Sequence, residues 1–267
     1  MTDLVRIYRA LFVVNLQQTA QYRVQALLWL LFAIVRPVVF LAAWSAAANS
    51  QGGSIGEYTI GDFAAYYVCL TLVSHLTMSW NAYDFEAEIR QGKLAPKLLR
   101  PLHPLHYAVV ENVAYKVTTL PALVPALVLI SATFQAHYET QVWQVLLFVP
   151  SVLLAAALRF MVGWVIAAFG FWTTRIHAIM HLYDRLTFLF AGQIAPLSLL
   201  PGPLAGLAYG LPFAYMLWAP AELLRGGLSL DQALATVGAQ VAWLTVSWLA
   251  FAAIWRLGLR QFSAVGA

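Results

Sequence analysis

Stretches of twenty or more predominantly apolar residues recur along this chain, and no other feature constrains its fold as strongly. A bilayer core about 30 Å thick is crossed by a helix of about 20 such residues, because each adds about 1.5 Å of rise. Windows of this kind run at about 25–48, 61–80, 106–134, 142–172, 178–199 and 232–257, which predicts six transmembrane helices. A further apolar stretch, 203–224, is interrupted by Pro203, Pro212 and Pro220, with Gly206 and Gly210 between them. Broken segments persist at membrane depth only where protein or a water-filled cavity satisfies the freed backbone groups. This stretch therefore reads as a re-entrant hairpin of two half-helices, preferred over a seventh span. With 62% of its residues hydrophobic and 10% charged, the chain cannot clothe a water-facing surface, which excludes a soluble globular domain and a disordered chain.

Lysine and arginine show which connections face the cytoplasm, because short cytoplasmic loops carry their excess. Arg6, Arg9 and Arg23 precede the first span, and Arg90, Lys93, Lys97 and Arg100 lie between the second and third. Arg175 lies between the fourth and fifth, and Arg256 and Arg260 follow the sixth. The opposite connections, 49–60, 135–141 and 200–231, hold Arg225 alone among cations, beside Glu57, Glu139, Glu222 and Asp231. Both termini are thus expected in the cytoplasm, and a bacterial inner membrane is the expected location. Ahead of the first span, Leu4, Ile7, Leu11 and Phe12 recur at helical spacing with Arg6, Arg9 and Gln17 on other faces, so 1–23 is expected to be an amphipathic helix lying in the membrane interface. A cleaved signal is not expected, because the charged region is too long, the apolar run too long, and Arg36 sits inside it. The net charge of +4 is spread between apolar segments and forms no basic domain for nucleic acid. Cys69, the one cysteine, has no companion for a disulfide or a metal site.

Catalytic constellations are missing. The chain has no G-x-S-x-G elbow, no H-E-x-x-H and no Cys/His ligand set. Gly92-Lys93 does not make a phosphate loop, since Ala87 stands where the first glycine is needed and Leu94 where Ser or Thr would hold magnesium. His177 and His181 have i, i+4 spacing but no third ligand, and His103 and His106 flank Pro104 beside a basic stretch. No metal site is expected. The segment 81–105 is the most distinctive in the chain. Asp84, Glu86 and Glu88 precede Gly92, and Arg90, Lys93, Lys97 and Arg100 accompany Leu94, Leu98 and Leu99. This pattern fits two short helices broken at Gly92, with a charge-rimmed apolar stripe suited to docking another protein.

The run Glu88-Ile-Arg-Gln-Gly92-Lys-Leu94, followed by Leu98-Leu-Arg100-Pro101-Leu, resembles the loop between the second and third spans of permease subunits in ATP-binding-cassette exporters of the second class (ABC-2). The run Ala191-Gly192-Gln-Ile194-Ala-Pro196-Leu-Ser-Leu-Leu200-Pro201, with Leu211-Pro212-Phe213 and Pro220 downstream, is similar to the end of their fifth span and outer re-entrant hairpin. Together with six spans and an amphipathic start, the resemblance covers nearly the whole chain. It implies an all-α integral membrane protein, one transmembrane domain over 1–267. It also implies ATPase coupling through Glu88, Arg90, Gly92, Lys93, Leu94, Leu98, Arg100 and Pro101, and a hairpin shaped by Gly192, Pro196, Pro201, Pro212, Phe213 and Pro220. The implied partners are two separate cytoplasmic ATPase subunits that carry ATP and magnesium, a second permease (the same chain or a paralogue) and membrane lipid. This chain itself is expected to hold no cofactor and no catalytic site.

Charges inside a span are costly and are read first as functional or paired. Arg36, Arg159, Asp184 and Arg185 qualify; Glu111 and Lys116 lie nearer the cytoplasmic start of the third span and are expected to snorkel. Asp184 is a candidate partner for Arg36 or Arg159 across the bundle. The alternatives are arginines that bond backbone carbonyls, or a cationic lining for anionic lipid headgroups. The expected task is export of a hydrophobic or amphipathic molecule, such as a drug, lipid or glycolipid, from the cytoplasm or inner leaflet. An ion-coupled secondary transporter using Asp184 is the alternative; it needs inverted repeats or paired broken spans, and one broken hairpin is found. A lipid-processing membrane enzyme lacks the residues it would need.

Overall fold

The computed structural model describes residues 2–173 and 176–262, apart from the side chains of residues 2, 3, 23, 26 and 33. Arg175, one of the orienting cations, lies outside the described residues, as does the side chain of Arg23. The chain starts with α1 (Thr2–Gln21) and α2 (Arg23–Ser50), separated at Tyr22. A short antiparallel ribbon, β1 (Ser54–Ile55) and β2 (Tyr58–Thr59), leads into α3 (Ile60–Thr77). The segment that follows is α4 (Asn81–Arg90) and α5 (Leu94–Leu98). Then come α6 (Pro104–Thr133), α7 (Val142–Ala168) and α8 (His177–Phe190). Three short helices, α9 (Gly202–Gly210), α10 (Pro212–Met216) and α11 (Trp218–Arg225), precede α12 (Leu230–Gln261).

Local chemistry sets the helix starts. Thr59 caps α3 and Ser229 caps α12, each in a reciprocal box with the residue three positions on, Asp62 and Gln232. Pro104 occupies the first turn of α6, where its missing N–H costs nothing. Interior prolines do not end the long helices: α2 runs through Pro37, α6 through Pro121 and Pro125, and α7 through Pro150.

Four helical stretches are long and apolar enough to cross a membrane among the described residues: Leu27–Ser50, Pro104–Thr133, Val142–Phe171 and Leu230–Gln261. They coincide with the expected first, third, fourth and sixth spans. The expected second and fifth spans are shorter helices. α3 has 18 residues and rises about 27 Å, and α8 has 14 and rises about 21 Å. The window 178–199 is helical only to Phe190, because Gly192 takes a φ of 78° and Pro196 starts a new turn. The stretch 203–224 differs from two half-helices in being three short helices. Pro203 and Pro212 start α9 and α10 rather than interrupt them, as expected from the steric restriction that proline places on the residue before it.

α3 is the central element, with most of its residues buried. It packs against α2, α6, α7 and α11, while α7 and α12 form the most extensive helix pair. One core cluster, rich in Phe63, Tyr66, Tyr67, Met216 and Trp218, sits where α3 begins. Another, with Phe85, Leu94, Trp164, Phe251 and Trp255, sits beneath α4 and α5. The cation-poor connections all meet at the first end. There the His137 N–H donates to the Gly61 carbonyl at 2.9 Å and the Glu139 N–H to the Arg225 carbonyl at 3.1 Å. The opposite end gathers α4, α5 and the C-terminal end of α12, with Arg90, Lys93, Lys97, Arg100, Arg256 and Arg260.

Candidate functional site

At the cation-rich end, α4 and α5 form a helix-turn-helix hung beneath the bundle. Gly92 makes the turn at φ 70°, a left-handed conformation that favours glycine. The Glu86 carboxylate pairs with Arg90 one turn on, at 3.2 Å, and Glu88 pairs with Lys97 across the turn, tying α4 to α5. The Lys97 ammonium also lies 5.2 Å from the centre of the Tyr107 ring on α6. On the side facing the spans, the Phe85 ring contacts Trp164 of α7 at 4.9 Å and Trp255 of α12 at 5.4 Å. Where α4 begins, Asn81 donates to the Phe160 carbonyl at 3.3 Å, a close approach that Gly163 makes room for. The segment is therefore packed onto α7 and α12 and not suspended as a free loop.

This packing revises the expected docking stripe. Leu94 is fully buried in the lower cluster and Leu98 is half-buried against it, while Leu99 is 88% exposed. The helix turn sends the first two leucines toward the spans and the third outward. The outward surface is consequently Leu99 rimmed by Arg90, Lys93, Arg100 and Pro101. The Asp84 carboxyl of α4 stands near Glu111 of α6, Glu88 and Lys97. Desolvation, with the carboxylates of Glu111 and Glu88 nearby, pushes it up to about 7. His103 caps α6, its Nδ1 accepting the Leu105 N–H at 3.2 Å, and burial together with the nearby His106 holds its pKa below the usual value.

The intramembrane charges are not brought together as expected. Among the described residues neither Arg36 nor Arg159 lies within ion-pair distance of Asp184. Asp184 instead accepts the Tyr83 hydroxyl at 3.2 Å, which joins α8 to α4. Arg159 donates to the Ser74 carbonyl at 3.4 Å and the Thr77 hydroxyl at 3.2 Å, so it serves the last turn of α3, the alternative role of bonding backbone. The Arg36 guanidinium lies over the Phe188 ring at 5.6 Å, and Arg185 is exposed on α8.

The unwound stretch after α8 is held by side chains from α2 and α3. Tyr66 donates to the Gly192 carbonyl at 2.6 Å, and Tyr67 and Trp44 both donate to the Ile194 carbonyl, at 2.5 and 2.7 Å. A Cβ at Gly192 would collide with the Tyr66 hydroxyl, so both its φ and the close approach require glycine. Downstream, Gln240 of α12 donates to the Tyr215 carbonyl at 3.0 Å and to the Ser151 carbonyl at 3.1 Å. Gln144 and Thr140 take the Leu228 and Leu224 carbonyls. Non-helical backbone is thus satisfied by protein, which is the condition for its survival at membrane depth. Pro196 and Pro201 begin new turns, Phe213 packs on Tyr183, and Pro220 is buried in α11.

A buried charged cluster closes the cation-poor end, and sequence reading did not assemble it. Glu222, 2% exposed, accepts the Tyr58 hydroxyl at 2.8 Å and pairs with Arg225 at 2.8 Å. Arg225 reaches Asp62 at 3.8 Å, and Asp62 meets His137 at 3.3 Å. Burial and the Glu222 carboxylate raise the Tyr58 phenol well above its ordinary value, so it remains a donor. The available signal was a single arginine among the acids of three connections.

A family model described as ABC-2 family transporter protein matches residues 23–266. The chain belongs to the ABC-2 transporter family. No curated protein matches it. Membership makes this ABC-2 chain a multi-pass membrane permease, of a kind that works with ATP-binding-cassette ATPases and is itself generally non-catalytic.

Proposed function

We propose that the chain is the transmembrane half of an exporter in which two cytoplasmic ATPase subunits drive a pair of permeases, identical or paralogous. Its cargo is a hydrophobic or amphipathic molecule, moved from the cytoplasm or inner leaflet across a bacterial inner membrane. In this reading α3 and α8 cross with the four longer helices, 1–267 is a single transmembrane domain, α1 lies in the cytoplasmic interface, and α9–α11 form the outer re-entrant hairpin. The cation-rich end then faces the cytoplasm, as the positive-inside rule asks. ATP and magnesium belong to the ATPase subunits.

One observation carries the proposal: a charged helix-turn-helix whose inner face is locked into the spans and whose outer face is free. Force applied at Arg90, Lys93, Leu99 and Arg100 reaches α7 and α12 through Phe85, α6 through Lys97 and Tyr107, and α8 through Tyr83 and Asp184. ATP-driven closure of the partners would bias the bundle between inward- and outward-facing arrangements by contacting them differently. Arg90→Glu with Arg100→Glu is expected to abolish co-purification of the ATPase while leaving insertion intact; unchanged co-purification would refute the docking role. An ion-coupled mechanism centred on Asp184 gains no support, since that carboxylate meets a tyrosine and no arginine.

A further inference from the structure

Between α6 and α12, with α7 as its floor, lies a groove of about 580 Å³, within the range of about 300–1,000 Å³ usual for ligand sites. Val109 and Val113 line one wall, Leu244 and Trp248 the other, and the small side chains of Ala156 and Ala157 give it depth. Val113 and Trp248 are both exposed on helices long and apolar enough to cross a membrane, so the groove is open to the hydrocarbon. Its polar lining is Thr77, Ser79, Asn112, Lys116 and Thr245.

Lys116 is the unusual lining residue. Its ammonium has three donors, and the one hydrogen bond it makes among the described residues is to Asn112 Oδ1 at 3.4 Å. No carboxylate of the described residues lies within ion-pair distance of it. Glu111, five positions earlier on α6, faces the Trp80 indole. Behind Thr77 stands a second cation, Arg159, donating to the threonine hydroxyl. Two cations and no acid therefore stand at the polar lining of an otherwise greasy groove, and unpaired charge at membrane depth is costly. A small hydrated anion would lose its water against those apolar walls, whereas an anion carrying its own hydrocarbon would satisfy both parts.

We propose that this groove binds an anionic phospholipid of the surrounding leaflet, its phosphate on Lys116 and an acyl chain along Val113, Ala156 and Leu244 to Trp248. The site is independent of what the complex exports.

The test uses the full chain in phosphatidylcholine vesicles containing brominated phosphatidylglycerol or, separately, brominated phosphatidylcholine. The readout is the tryptophan quenching that disappears in Trp248→Phe. Brominated phosphatidylglycerol should quench this component at a concentration about tenfold lower than phosphatidylcholine, because the choline ammonium offsets the phosphate charge and is repelled by Lys116 and Arg159, whereas the glycerol headgroup leaves a net anion. Lys116→Gln should erase the difference and Lys116→Arg should keep it. Equal quenching by the two lipids in the unaltered chain would overturn the proposal, and that comparison needs no variant to fold. A preference surviving in Lys116→Gln would also overturn it. So would loss of the preference on adding millimolar inorganic phosphate, which would make the groove a site for a free anion.

Discussion

At the residue scale, the fold depends on a few side chains that complete hydrogen bonds for backbone leaving helical geometry. Gly192 shows the steric side of this. Alanine there faces a left-handed φ penalty of about 1–2 kcal/mol and displaces the Tyr66 hydroxyl from its carbonyl. Gly192→Ala should therefore lower thermal stability in detergent by more than that penalty alone. Arg225 shows the electrostatic side. Its removal leaves Glu222 buried without its cation, a loss of about 3–5 kcal/mol, whereas removing both charges together should cost less. Melting curves of Arg225→Met, Glu222→Gln and the double variant would measure this coupling, and additive losses would contradict it. Asp84 makes stability depend on pH. Its folded pKa, about 7, is raised, so the neutral form is favoured and the contribution is full below the ordinary carboxylate range. Stability should fall as pH rises from about 4 through 7, and Asp84→Asn should flatten that slope.

At the element scale, α4 and α5 act as one body because Glu88–Lys97 bridges them and Phe85 with Leu94 anchors them. A docking surface transmits force only if its inner face is packed well enough not to yield. Phe85→Ala removes the ring shared by Trp164, Phe171 and Trp255, at about 3–5 kcal/mol for a large buried aromatic. The expected outcome separates docking from coupling: ATPase still co-purifies with the variant, but ATP-driven transport is lost. Retained transport would show that motion enters the bundle elsewhere. α1 packs against α6, with Tyr8 hydrogen-bonded to His106. Leu11 and Phe12 turn inward while Leu4 and Ile7 stay exposed, so only half of its apolar stripe is covered by protein.

At the scale of the whole molecule, connections that the sequence separates by polarity converge at opposite ends. The cation-poor end is cross-linked by Asp62, His137, Glu222 and Arg225, and the cation-rich end carries the helix-turn-helix. Orientation can be checked directly because the one cysteine, Cys69, is buried and unreactive to a bulky reagent. A membrane-impermeant maleimide applied to intact cells should label Gly53→Cys and Glu139→Cys but not Gln91→Cys. The reverse pattern would invert the proposed topology and move the coupling segment outside.

The membrane class, the family and the positions of the four helices long and apolar enough to cross a membrane were legible in the amino-acid order alone, because long apolar runs and their cation-rich flanks are local signals. The helix break at Gly92 was equally legible, since a left-handed turn has a one-residue signature. Which leucine of Leu94, Leu98 and Leu99 faces solvent was decided only by tertiary structure, because that face is set by where α4 docks on α7 and α12. The same is true of Asp184, whose partner proved to be Tyr83, about a hundred positions away in the chain. The Glu222–Arg225–Asp62 cluster and the groove at Lys116 likewise exist only once helices distant in sequence are packed together. Pairing of charges and the shape of a cavity are properties of that packing, not of any window of sequence.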